Sequence, residues 1–147
     1  MRTNYFDFDT LMRIYDKTIS VSGGGSAGVL NRGQIESILD HIQNDDYYPT
    51  FIEKLTHLFF SLNKFHCFED GNKRIAISAG VLFLNLNGYI FRISDFITEM
   101  ENISYHLAAG KIDKEFLEEI ITAIVNDEFE DETLKLKLFR AISKKLR

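Results

Sequence analysis

A chain of 147 residues with 45% hydrophobic and 27% charged side chains has the composition of one globular domain with a real core, which excludes disordered and fibrous classes. Its net charge of −5 supplies no whole-surface field for nucleic acid, so nucleic acid is not an expected partner. The single cysteine, Cys67, excludes an internal disulfide framework. There is neither a signal-peptide h-region nor an unbroken apolar run of membrane-spanning length, so a soluble cytoplasmic protein without a membrane partner is expected.

In chain order, Asp7 or Asp9 can cap a first helix, on which Phe8, Leu11 and Tyr15 form a stripe beside Ile14 and Thr18. The pattern predicts that this helix ends before Ser20. Four glycines in the six positions from Gly23 to Gly28 then demand a loop that can take positive φ. This loop reads as a connector or as a hairpin flap, in which Val29-Leu30 pair with Ile19-Ser20-Val21; the flap is favoured.

Asn31-Arg32-Gly33-Gln34 resembles a capping box, and Ile35, Ile38, Leu39 and Ile42 follow at helical spacing. A turn from Asn44 to Pro49 leads to a second box, Thr50 and Glu53. The helix it starts turns Ile52, Leu55, Leu58, Phe59 and Leu62 inward and delivers the chain to His66. From Ile75 to Leu86 the sequence is apolar on nearly every side, which predicts a buried central helix from Lys73 to Asn87, roughly 22 Å long. Asn87-Gly88 is a left-handed stop.

Tyr89-Ile90-Phe91 reads as short and extended. Ser94 is expected to cap a helix with Phe96, Ile97, Met100, Ile103 and Leu107, stopped by Gly110. Asp113 caps the next, with Phe116, Leu117, Ile120, Ile121 and Ile124. A last helix, at about 130–146, carries Leu134, Leu138, Phe139, Ile142 and Leu146. Its acidic start and basic tail complement the helix dipole. The fold class is therefore all-α: a helical bundle around a buried central helix, with a small β-hairpin flap.

The chemistry concentrates in His66-Cys67-Phe68-Glu69-Asp70-Gly71-Asn72-Lys73-Arg74, at the N-terminal end of the expected central helix. Unpaired backbone N–H groups and the positive end of the dipole make such an end a site for anions, phosphate above all. His66 has the pKa range for proton abstraction at neutral pH, beside the plainer reading of a surface histidine. Asp70 is placed to hold Mg²⁺ against phosphate oxygens, or simply to cap the helix. Gly71, Asn72 and Lys73 can aim successive N–H groups at an anion, and Arg74 can clamp a phosphate. Two cations at the positive end of a helix conflict unless an anion sits between them. Cys67 has no orienting carboxylate for a nucleophile role, and no histidine stands at zinc-ligand spacing from it.

His66-x-Phe68-x-Asp70-Gly71-Asn72-Lys73-Arg74 resembles the Fic/Doc family signature, His-x-Phe-x-Asp/Glu-Gly/Ala-Asn-Gly/Lys-Arg. The resemblance covers about residues 8–125 and implies the Fic fold over a single 1–147 domain, with the last helix as an addition. It implies transfer of part of ATP to a hydroxyl of a target protein. In that reaction His66 is the base, Asp70 the Mg²⁺ ligand, and Gly71, Asn72, Lys73 and Arg74 the phosphate cradle. The segment Gly25, Ser26, Ala27, Gly28, Val29 and Leu30 would be the flap that docks the target by strand addition.

AMP-transferring members usually carry Gly where Lys73 stands and a second Arg where Ile77 stands. Both departures resemble the Doc branch: toxins that transfer the γ-phosphate, are linked to elongation factor Tu, and are restrained by a separate antitoxin. Gly71 stands where Doc itself has Ala. The chain also lacks the inhibitory Ser/Thr-x-x-x-Glu pattern of many Fic proteins. A Fic-type AMP or nucleotidyl transferase and a non-catalytic helix-binding module remain as alternatives.

Overall fold

A computed structural model of the chain describes residues 2–21, 31–64 and 72–143. Those residues form α1 (Phe8–Val21), α2 (Arg32–His41), α3 (Phe51–Lys64), α4 (Asn72–Leu86), a 3-10 turn (Ile90–Arg92), α5 (Ile93–Ala108), α6 (Lys114–Val125) and α7 (Glu132–Ser143). No strand occurs among the described residues, and the all-α class holds. None of their helices is long and apolar enough to cross a membrane.

Most helix starts are fixed by side-chain caps. The Thr10 amide donates to Asp7 Oδ1 at 2.9 Å, and this bond holds the Asp7 carboxyl below its ordinary pKa. Asn31 accepts from the Gln34 amide at 2.9 Å, and Asp113 from the Phe116 amide at 2.8 Å. The Thr50 hydroxyl accepts from the Glu53 amide at 3.1 Å and donates to Glu53 Oε1 at 2.9 Å. Asp131 caps α7 through the Leu134 amide.

The stop after α4 is a Schellman turn. Gly88 sits at φ +87°, the Tyr89 amide donates to Leu84 O at 2.9 Å, and the Gly88 amide donates to Asn85 O at 3.3 Å. The chain before α1 is strapped to this turn by reciprocal amide bonds between Asn4 and Asn87.

The centre is shared by two helices. α3 packs along α4 and also touches α2, α5 and α6, while α4 adds contacts to α1 and α5. Leu55, Leu58, Phe59 and Leu62 of α3 are fully buried against Ile75, Ala76, Ala79, Phe83 and Leu84 of α4. α3 is enclosed on its polar side too, where Lys54, Thr56, His57, Ser61 and Asn63 are buried. Lys54 tolerates this because its Nζ donates to Ile42 O at 2.8 Å and to Asp45 Oδ1 at 2.6 Å.

Several local expectations are corrected. α1 runs through Val21, so Ile19-Ser20-Val21 are helical and cannot be the first strand of a hairpin. No proline or glycine interrupts the sequence from Phe8 to Val21, and helix propagation adds one bond per residue. The remainder of the expected flap, residues 25–30, lies outside the described residues. Tyr89-Ile90-Phe91 are not extended: the Arg92 amide closes a tight turn on Tyr89 O at 3.0 Å. That turn runs directly into α5 at Ile93, so Ser94 sits inside the first turn rather than capping it.

α4 is not covered on every side, because Ile77, Val81 and Leu82 lie only half-buried along one face. Ile97 (38% exposed) and Phe139 (66% exposed), both part of the apolar pattern of their helices, face solvent.

Candidate active site

The chain enters residues 65–71 from the last turn of α3 and leaves them into the first turn of α4. Three contacts bring the end of α5 to the same place. Asn63 Nδ2 donates to Ser104 O at 3.2 Å, and Lys64 Nζ donates to Leu107 O at 3.0 Å. From the other side, Lys73 Nζ lies 5.4 Å from the centre of the Tyr105 ring. The C-terminal ends of α3 and α5 therefore gather around the N-terminus of α4. Lys64 adds a side-chain donor to a carbonyl that also accepts from the Gly110 amide at 3.1 Å in the turn ending α5.

Of the motif residues, Asn72 opens α4, and Lys73 and Arg74 follow in its first turn, as the sequence predicts. Lys73 is exposed and Arg74 half-buried. The amides of such a first turn have no partner within their own helix and point out along its axis, where they favour negative charge. His66, Asp70 and Gly71 lie outside the described residues, as do Cys67, Phe68 and Glu69. So do the flap residues Gly25, Ser26, Ala27, Gly28, Val29 and Leu30.

Arg74 also starts a feature that periodicity did not expose. Arg74, Ile77, Ser78, Val81, Leu82 and Asn85 form one stripe of α4, and this stripe is the floor of a groove of about 540 Å³. Ile14 of α1 and Ile93 and Ile97 of α5 make its apolar walls, and Glu101 adds a carboxylate. The available signal was the half-polar stripe on a helix that otherwise reads as fully buried.

The model of the Fic/DOC family matches residues 5–84, more than half of the chain. The chain belongs to this family. The match runs from the strap before α1 into the last turns of α4 and takes in the whole motif from His66 to Arg74. In line with that membership, the chain is 32% identical over 111 residues to "Protein kinase doc" of Escherichia phage P1, an alignment covering 71% of this chain and 82% of that relative. The Fic/DOC match ends within α4, so α5 to α7 lie beyond it, although α5 supplies Tyr105 and the carbonyls that lock the end of α3.

Proposed function

We propose that this chain is a Doc-like toxin of a toxin–antitoxin pair, a protein-modifying transferase that moves the γ-phosphate of ATP to a hydroxyl of a target protein. The observation that carries this reading is the His66–Arg74 sequence motif, whose Lys73 and Arg74 lie in the first turn of α4, in a chain similar over most of its length to a protein kinase of the family. The target is a protein of the elongation factor Tu kind, and its modification arrests translation in the cytoplasm. The functional unit is the whole of 1–147, a Fic/Doc core at about 8–125 with the C-terminal helix added.

In the proposed reaction, His66 takes the proton from the target hydroxyl. The hydroxyl oxygen attacks the γ-phosphorus, and ADP leaves with the bridging oxygen. Gly71, Asn72, Lys73 and Arg74 hold the phosphates through backbone N–H groups and side-chain cations. Asp70 would hold Mg²⁺: one carboxylate facing phosphate oxygens suits a hard cation that keeps most of its waters. Bound there, the ion would offset charge on the phosphoryl oxygens. The flap from Gly25 to Leu30 would align the target segment.

Ile77 supports phosphoryl over nucleotidyl transfer. It occupies the position of the second arginine of AMP-transferring members and lies in the groove floor with Val81 and Leu82, where an apolar side chain offers no charge to a triphosphate. The same groove supports the antitoxin partner, because it offers an apolar segment of a separate chain a seat beside Arg74.

ATP labelled at the α or the γ position, incubated with the protein and an elongation factor, tests the reading. Label from γ-labelled ATP should appear on the acceptor and vanish with His66→Ala. Transfer of α label alone would make the chain a nucleotidyl transferase, and no transfer with either label would leave a helix-binding module.

A further inference from the structure

A polar cluster stands apart from the transfer site, where the turn before α3, the middle of α3 and the start of α6 meet. Tyr48 Oη lies 3.0 Å from His57 Nδ1, and Lys114 Nζ lies 2.8 Å from the same nitrogen. The Tyr48 ring stacks on the imidazole at 4.3 Å, His41 meets it edge-on at 5.5 Å, and Ser61 Oγ lies 3.4 Å from Nε2. Lys114 Nζ is also held over the rings of Tyr48 and Phe60, at 5.3 and 5.6 Å.

Both donors converge on Nδ1, so this nitrogen is the acceptor and the ring hydrogen belongs on Nε2, an assignment made from the network. Burial, with the charges of Lys114 and His41 in support, lowers the His57 pKa to about 4, so the ring is neutral at pH 7. Burial also lowers the Lys114 pKa, against a smaller opposing pull from Glu118. A half-buried ammonium that faces a neutral ring and, among the described residues, forms no ion pair with a carboxylate is not the arrangement of a structural ion pair. It is the arrangement of an amine nucleophile.

The geometry points to Lys114 as an Nζ-acylation site for a small acyl phosphate, with His57 as the residue that positions the amine. The ammonium first loses a proton to water. The neutral amine keeps one N–H on His57 Nδ1, which leaves its lone pair directed away from the ring. That lone pair attacks the acyl carbonyl carbon, a C–N bond forms, and the C–O bond to phosphate breaks. Phosphate leaves with the bonding pair and takes the second amine proton, so the products are the amide and hydrogen phosphate. The flanking rings of Tyr48 and Phe60 favour a compact acyl donor over a bulky one.

The test exposes the full chain to acetyl phosphate between pH 6 and 9 and follows each lysine by site-resolved mass spectrometry. Lys114 should acetylate severalfold faster than the exposed Lys17 at pH 7, because a lowered pKa leaves more of its amine free. Its rate should also level off at lower pH than that of Lys17. His57→Gln should return that midpoint toward the Lys17 value, with the circular dichroism spectrum as a check on folding. A Lys114 rate and pH midpoint equal to those of Lys17 in the unaltered chain would overturn the assignment, whatever the variant does.

Discussion

Gly80 of α4 faces the ring of Phe96 of α5 with no room between them: a Cβ at position 80 would stand 2.5 Å from Phe96 Cζ. The same ring meets Phe59 of α3 edge-on at 5.9 Å, so one aromatic side chain joins the three helices that frame the candidate site. Gly80→Ala would normally strengthen a helix interior by about 1 kcal/mol. Here it should weaken the fold by about 1–3 kcal/mol, because Phe96 is fully buried and cannot swing clear. Phe96→Leu in the Gly80→Ala background should recover part of that loss, a coupling that denaturant unfolding of the four cycle members would measure. Strictly additive effects would mean that the helices separate instead of clashing.

Asn87 secures the junction after α4 with a polarity that only an amide satisfies. Its Nδ2 donates to Phe83 O at 2.8 Å and to Asn4 O at 3.0 Å, while its Oδ1 accepts from the Asn4 amide at 2.8 Å. Asn87→Ala removes these bonds and should cost about 1–2 kcal/mol. Asn87→Asp should cost more than Asn87→Ala, since a carboxylate would turn an acceptor toward two carbonyl oxygens. Thermal unfolding of both variants would show the order, and the reverse order would mean that the strap before α1 contributes nothing.

These contacts mark where the sequence was legible. Caps at Asp7, Asn31, Thr50 and Asp113, and the Gly88 stop, follow from rules that act within four residues, and each is found where the pattern puts it. The start of α4 is of the same kind, so Lys73 and Arg74 fall in its first turn as expected. Ser94 failed because the preceding turn already supplied helical geometry, which removed the need for a cap. The groove and the His57 cluster were not legible, because each is assembled from helices far apart in sequence. Ile14, Ile77 and Ile97 each read as an ordinary stripe residue, and only their convergence makes a cavity. Nothing close in sequence marks His57, and it is α6 that brings Lys114 to it.

The buried imidazole makes stability fall in mild acid. In the unfolded chain His57 titrates near ~6.5, whereas in the folded chain it does so only at about 4. Between these values the unfolded state binds the proton and the folded state does not, so acid favours unfolding. The contribution is intact above about pH 6.5 and is lost progressively toward pH 4, to a limit of about 3 kcal/mol. His57→Gln should flatten this part of the stability profile while leaving the steeper acid limb set by the carboxylates. Urea midpoints at half-unit pH steps would show the difference, and parallel profiles for the two proteins would rule out His57 as the source.

Lys73 and Tyr105 offer a way to separate folding from nucleotide binding. The ammonium rests over an exposed ring, a contact worth about 0.5–1 kcal/mol. Its position in the first turn of α4, next to Arg74, costs a comparable 0.3–1 kcal/mol against the helix dipole. Lys73→Met keeps the aliphatic stem and removes the charge, so the two effects should nearly cancel and leave the melting temperature of the free protein almost unchanged. If Lys73 holds a phosphate, the same substitution removes a charge-assisted bond of about 1.5–3 kcal/mol. ATP affinity should then fall by at least about tenfold, and the rise in melting temperature on adding ATP should shrink with it. Calorimetric titration of both proteins with a non-hydrolysable ATP analogue measures this directly. Equal affinities would place the phosphates away from this side chain and weaken the γ-phosphate reading, which leans on a lysine at position 73.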